Sequence, residues 1–446
     1  MKMQILNGIL LIVSSLFFLL FLTASIREKE RRAALLATIL LLVNSCIWLL
    51  FVRFGEVLWV ARLNVAAVIA LGVFVLISAV KYFPHTEPRD LSKAEKYDER
   101  DMMFARNRLQ YLPHLAKKYY SIHPEMREID EKIHSKPELG EPGSTYYDPL
   151  QSPIFDAAFA YLHRTRGASK GEAAQNKKEL DPHEITGIIK EIGRYYGAAD
   201  VGITPVKPYH IYSHAGRDED KWGEEIRNVH SFAIVIVAPM RVDMLKSAPG
   251  LSAILESSRL YVESAKIAHI IAEYIRSFGY DARSHTDGNY ETLCVPAAVD
   301  TGLGALGRIG IFMHPVHGPC VRLSTVTTNM ELIPTNPYPY IRSMEKFCEI
   351  CKKCADNCPT QSISGQNEPV SRGFRHWSVN QEKCFSFWKT IGADCGICIR
   401  VCPYTKPDTL IHRTVRFYIS RNPINQRIAL FLDDLFYGRK IKITKT

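Results

Sequence analysis

Hydrophobic and polar positions divide the chain near residue 83. Before it, three uncharged runs follow one another: Ile5–Ile26 with 22 residues, Ala33–Val52 with 20 and Leu63–Val80 with 18. At about 1.5 Å of rise per residue, each can cross a hydrocarbon layer of roughly 30 Å. The apolar core of a signal peptide is shorter, roughly 7–15 residues, and three successive runs do not belong to one. The pattern therefore predicts three transmembrane helices within 1–83. A rival reading keeps two spans and a buried or interfacial third, because Arg62 and Asn64 weaken the last run. The first loop, Arg27–Arg32, holds four Lys/Arg, whereas the second has only Arg53 and Arg62. The basic excess puts the first loop in the cytoplasm. The N-terminus then lies outside and everything after Val80 inside, in agreement with Lys81, Arg89, Lys93 and Lys96.

After the spans the pattern turns globular. His183–Tyr196 reads as a helix stopped by Gly197, and Leu255–Phe278 as a long helix closed by Gly279. Asp200–Thr204 and Val321–Thr327 read as strands, and the apolar run Ser231–Val237 as a buried one. Residues 181–335 are thus expected to form an α/β or α+β domain. The stretch 84–180 is expected to wrap that core as an extension, with 336–412 and 413–446 as further segments.

Composition adds little except at the ends. The net charge is +10, and Ile411–Thr446 alone carries eight Lys/Arg against two Asp. The excess sits in a basic tail and does not outline a nucleic-acid groove. The tail reads either as a solvated face or as a surface resting on anionic headgroups.

Eight of the eleven cysteines crowd into 348–402. Cys348-x2-Cys351-x2-Cys354-x3-Cys358-Pro359 is followed by Cys384-x10-Cys395-x2-Cys398-x3-Cys402-Pro403. The first is the bacterial ferredoxin spacing, in which the fourth Cys of a two-cluster protein ligates the other cluster. This assigns Cys348, Cys351, Cys354 and Cys402 to one [4Fe-4S] cluster and Cys358, Cys384, Cys395 and Cys398 to a second. The long gap before Cys395 suggests an inserted loop that includes Trp388. A zinc ribbon is the rival, but zinc pairs seldom come as two four-Cys runs with trailing prolines. Cys46, Cys294 and Cys320 read as small packed residues. The run Gly302-Leu-Gly304-Ala-Leu-Gly307-Arg308 fits G-x-G-x-x-G, yet no clear strand precedes it directly and no clear ribose-binding acid follows. Ser257 and Tyr261 share one helix face, where a Tyr reads first as a packed residue.

Together these stretches carry a resemblance. Asp98-Glu-Arg-Asp-Met-Met-Phe-Ala-Arg106, Tyr119-Tyr-Ser-Ile-His-Pro-Glu125, Glu273-Tyr-Ile-Arg-Ser-Phe-Gly-Tyr280, Asp300–Arg308, Gly318-Pro-Cys-Val-Arg322 and Leu432-Asp-Asp-Leu-Phe-Tyr-Gly438 resemble motifs of corrinoid-dependent reductive dehalogenase catalytic subunits. The likeness runs over roughly 95–438. It implies a nitroreductase-like α/β core that binds a base-off cobalamin or related corrinoid and is fed by the two clusters. It implies Tyr261 as proton donor, Arg322 as the activating cation and Asn289 beside them. It also implies corrinoid contacts at Ser257, Gly302, Gly304, Gly307 and Arg308. Phe104, Trp377 and Trp388 are candidate pocket walls. The implied partners are an organohalide, the lipid bilayer and a low-potential donor, either a ferredoxin or a membrane redox protein. Cys320 replaces the first Arg of the family's Gly-Pro-Arg-Val-Arg run, and three spans stand where a twin-arginine leader is usual. With no export signal for a folded, cluster-loaded head, the expected location is the cytoplasmic membrane with that head facing inward. Two rivals are an epoxyqueuosine reductase-like enzyme and a non-catalytic membrane electron-transfer subunit.

Overall fold

The computed structural model describes residues 2–54, 57–83, 93–366, 370–371 and 374–441. Arg89 and the last five residues of the basic tail lie outside them. Two units result: Met1–His85 together with Pro407–Ile441, and Thr86–Lys406.

In the first unit the three apolar runs become helices Lys2–Arg27, Arg31–Phe54 and Leu58–Ala79, each long and apolar enough to cross a membrane. Arg62 and Asn64 do not prevent the third, which starts earlier than the uncharged run. Polar side chains tie the first two helices together. Asn44 Nδ2 donates to Ser14 Oγ at 2.9 Å, and the Ser15 and Ser45 hydroxyls lie 3.3 Å apart. In an apolar solvent such bonds pair groups that would otherwise be left unsatisfied. The described part of the 413–446 segment is no loose tail. It folds into helices Leu410–Ile419 and Pro423–Tyr437, which belong to the unit of the spans.

The second unit is built on four strands: β1 (Asp200–Pro205), β2 (Phe232–Pro239), β3 (Ala282–His285) and β4 (Val321–Thr328). Their order is β1-β2-β4-β3 and every pairing is antiparallel. The core is therefore α+β. The α/β expectation gives way because no neighbouring strands are joined by the parallel crossover that defines a βαβ unit. β2 shows why its sequence is apolar throughout. Ile234 and Ile236 pack on the long helix Leu251–Arg276 and on helix Pro182–Tyr195. Val235 and Val237 pack on Ala297 and Ala298 of helix Cys294–Asp300. Both faces of the sheet are covered, so the period-two alternation of a half-exposed strand disappears. Asp181 caps helix Pro182–Tyr195 by accepting from the His183 and Glu184 amides, which leaves His183 as a helix-start residue.

The stretch ahead of this core meets the cysteine-bearing segment through buried charges. Arg106, 1% exposed, pairs at 2.6 Å with both Asp130 and Glu382. Lys389, fully buried, reaches Glu138 at 2.9 Å. Glu382 and Lys389 belong to helix Gln381–Ile391, which also carries Cys384 and Trp388. The gap between Cys384 and Cys395 is thus filled by a helix, N-capped by Asn380 and ended by left-handed Gly392, and not by a loop.

Candidate active site and cysteine quartets

Two short helical turns aim the thiols. Helix Ile341–Cys351 ends at left-handed Lys352, and Cys354 follows in the turn Lys353–Asp356. Left-handed Gly396 similarly separates Cys395 from the turn Ile397–Arg400 that carries Cys398. The structure sets Cys402 against Cys348, Cys351 and Cys354. It sets Cys398 against Cys395, Cys384 and Cys358, with Cys354 of the other group also close. Each four-Cys run therefore sends its last member to the other group.

The donor set suits clusters better than single ions. Among the described residues, no three His, Cys, Asp or Glu side chains converge on one ion-sized point. All eight cysteines are free thiols; Cys348, Cys351, Cys354 and Cys402 line a small cavity with Cys398, and Cys358, Cys384 and Cys395 line a larger one that Cys398 also borders, an arrangement that suits bridged iron atoms. Burial pushes the Cys348, Cys354 and Cys395 thiols up to about 12 and Cys384 up to about 11. Without positive iron they would keep their protons. At Cys358 burial also raises the pKa, but hydrogen bonds from Thr360, Ser362 and Ile363 outweigh it and leave the thiol below its ordinary range.

A cavity of about 590 Å³ borders the second quartet. Phe104, Trp377 and Trp388 line it, as do Arg322 and Asp394. Arg322 comes from β4 and Asp394 directly precedes Cys395. The Arg322 guanidinium lies over the Tyr261 ring, 5.1 Å from its centre, and donates to Asp394 Oδ2 at 3.2 Å and to the Ser257 hydroxyl. Ser257 and Tyr261 are one helical turn apart on the long helix, which places both against the same guanidinium. Tyr261 is not itself on the cavity wall; it stands against Arg322, with Phe159 at 5.9 Å. Arg322 Nε is buried without a hydrogen-bond partner. Burial raises the Tyr261 pKa, Arg322 lowers it, and burial prevails. The expected lowering of this phenol by the cation is thus outweighed by loss of water.

The remaining sequence candidates are placed elsewhere. Asn289 Nδ2 donates to Ser169 Oγ at 2.7 Å, and its Oδ1 accepts from Arg283 at 3.1 Å. The side chains of this loop that bear on Tyr261 are Asp287 and Tyr290. Gly302, Gly304 and Gly307 are buried against Pro337, Phe312 and Met313, where a Cβ would collide. Their missing side chains serve packing, and the cavity takes Leu306, Ile309, Gly310 and Ile311 from that run instead. Arg308, 1% exposed, donates to the carbonyls of Cys348, Ser364, Gln366 and Glu349, and it stacks on Trp377 at 4.6 Å. It is a clamp on the first cysteine run. Sequence reasoning missed Asp394, whose position next to Cys395 was the available signal. It also missed Arg217, which pairs with Asp287 at 3.4 Å and bears on Tyr261, and for which no motif gave notice.

Comparison with known proteins agrees with this layout. Residues 347–406 match the family described as 4Fe-4S dicluster domain. Tetrachloroethene reductive dehalogenase of Sulfurospirillum multivorans is 30% identical over 300 residues, 59% of this chain and 59% of that protein. The enzyme of the same name from Desulfitobacterium hafniense is 31% identical over 312 residues, 59% of this chain and 56% of that one. The chain thus spans less than two thirds of these relatives' length. A solved reductive dehalogenase, described as suggesting a mechanism for B12-dependent dehalogenation, superposes with a TM-score of 0.64 at 22% identity. It covers 80% of this chain and 50% of its own, and at that identity it establishes the fold.

Proposed function

Because the chain is a homologue of the reductive dehalogenases, we propose that it is a membrane-anchored enzyme that replaces the halogen of an organohalide by hydrogen. The observation that carries this reading is Arg322, held between Tyr261 and Asp394 on the wall of an apolar cavity bordered by four cysteines. The volume of about 590 Å³ lies within the roughly 300–1,000 Å³ of cofactor and ligand pockets. Its aromatic and aliphatic walls suit a flat macrocycle and a water-poor organohalide. A bound corrinoid would supply the electrons that break the carbon–halogen bond.

The chain's own residues do the rest. Cys358, Cys384, Cys395 and Cys398, which border the cavity, would hold one cluster, and Cys348, Cys351, Cys354 and Cys402 would hold another. Clusters held there would supply single electrons towards the cavity. Tyr261, set behind Arg322 and off the cavity wall, is the proton source for the dehalogenated carbon. A phenol kept above its ordinary range by burial is fully protonated at neutral pH, as a donor must be. Arg322 then stabilises the phenolate, and Ser257 and Asp394 keep the guanidinium over the ring. The basic first loop, Arg27–Arg32, places the catalytic unit on the cytoplasmic side of the membrane, within reach of an internal low-potential donor.

The test is anaerobic reconstitution with cobalamin and a reductant, scoring halide release from a panel of organohalides. Tyr261→Phe is expected to abolish release while retaining iron and corrinoid. Near-normal release would remove Tyr261 as the acid, and fully metallated protein that binds no corrinoid would remove the whole reading.

A further inference from the structure

Helix Pro423–Tyr437 is inside out. Its buried face carries Asn425 and Gln426, 0% and 1% exposed, while Phe431 and Ile424 stand 67% and 53% exposed. Ile424, Phe431 and Leu435 fall at i, i+7 and i+11, one stripe along the helix. On helix Leu410–Ile419, Leu410 and Phe417 are likewise exposed, at 71% and 64%. A helix facing water places these residue types the other way round.

The buried amides are used at the end of the third span. Asn422 Nδ2 donates to the carbonyls of Ile77 and Val80 at 3.0 and 3.1 Å, and Asn425 Nδ2 to that of Ser78 at 3.0 Å. Arg421 Nη2 donates to the Ala79 carbonyl at 2.6 Å. Most of these are C-terminal carbonyls left without partners inside the helix. At the same end, His412 meets Glu28 of the first loop at 2.8 Å.

Ring contacts give the depth. Phe436 packs on Phe21 with ring centres 4.7 Å apart, and Tyr418 on Phe74 at 6.3 Å. Phe21 is six residues from the end of its helix and Phe74 five from the end of its own, which is about 9 and 8 Å along the axis at 1.5 Å per residue. Helices that lie in a membrane surface sit roughly 5–10 Å into the headgroup–acyl boundary. Arg413, Arg416, Arg421, Arg427 and Arg439 are spread along the pair, and Arg421 lies over the Phe417 ring at 5.2 Å. Such side chains bury their stems and keep their charge at headgroup level.

We infer that helices Leu410–Ile419 and Pro423–Tyr437 form a monotopic element embedded in the anionic leaflet on the Arg27–Arg32 side, with Phe417, Ile424, Phe431 and Leu435 in lipid. This rests on the spans being in a membrane and not on the reaction catalysed. The test uses the full chain, one copy per lipid nanodisc of phosphatidylglycerol and phosphatidylcholine, with a phospholipid bearing a diazirine high on its acyl chain. After photolysis, peptide mapping is expected to find lipid adducts on Phe417, Phe431 and Leu435, as on Leu35 near a span end. Leu150 of the other unit, 85% exposed, should carry none. Adducts on the spans with none in 410–437 overturn the inference.

Discussion

Replacing Arg322 by Gln removes the cation that lies over Tyr261. Taking 5.1 Å as the charge separation, an effective dielectric of about 20 gives an attraction to the phenolate of about 3 kcal/mol. If about half of it is expressed when the proton is in flight, the chemical step slows about 15-fold. The sign of the pH dependence follows from the acid's role. Tyr261 must be protonated to donate, and burial already holds it above its ordinary value. The wild-type rate is therefore flat through neutral pH and falls only above about 10. Arg322→Gln lowers that plateau and moves the basic limb to still higher pH. The variant also strands the Asp394 carboxylate, so Arg322→Gln with Asp394→Asn isolates the effect on Tyr261, and Arg322→Lys should recover part of the rate. The assay is single-turnover halide release against pH in reconstituted enzyme. A plateau within twofold of wild type, or a basic limb moved to lower pH, refutes the reasoning.

Three further outcomes follow from the same geometry. Cys402→Ser should remove one cluster's iron and sulfide and leave the other's EPR signal; if Cys395→Ser abolishes the same signal, the crossed assignment is wrong. Arg308→Met takes a buried cation from beside Cys348 and Cys354, which favours the less negative oxidised cluster, so an EPR-monitored redox titration should show one midpoint falling; an unchanged or higher midpoint contradicts this. Arg106→Met leaves Asp130 charged, fully buried and without its cation, a change that costs about 3–5 kcal/mol; thermal loss of the cluster absorbance should move to lower temperature, and Arg106→Met with Asp130→Leu should restore much of it.

Features bounded by short stretches of chain were open to a reader of the sequence. Cys348, Cys351 and Cys354 must meet because their spacing allows little else. Ser257 and Tyr261 must share a face because a helix turns every 3.6 residues. The buried strand within Phe232–Pro239 announced itself by hydrophobicity, but its partners did not, since register and direction are set by tertiary packing that no local pattern records. Asp394 meets Arg322 across 72 residues, and nothing near either names the other. The basic tail was obscured for a different reason. An inside-out helix has the composition of an ordinary amphipathic one, and only the solvent decides which face is buried.

The glycine run shows most clearly what residue types leave open. G-x-G-x-x-G asks for backbone that something can approach closely, and the motif's reputation rests on that something being a phosphate. At Gly302, Gly304 and Gly307 the approaching atoms are Pro337, Phe312 and Met313 of the same chain. A missing Cβ is needed equally in both cases, so the pattern reports a close approach without reporting its author. Arg308 follows the same logic. A cation after a glycine run suggests an anionic ligand, yet its guanidinium is consumed by four carbonyls of the segment that carries the first thiols. The run therefore acts on the cysteine segment: Arg308 holds the last turn of helix Ile341–Cys351, and the run lends Ile309, Gly310 and Ile311 to the cavity wall. Substitutions at Gly304 should accordingly disturb cluster content before they disturb any ligand in the cavity.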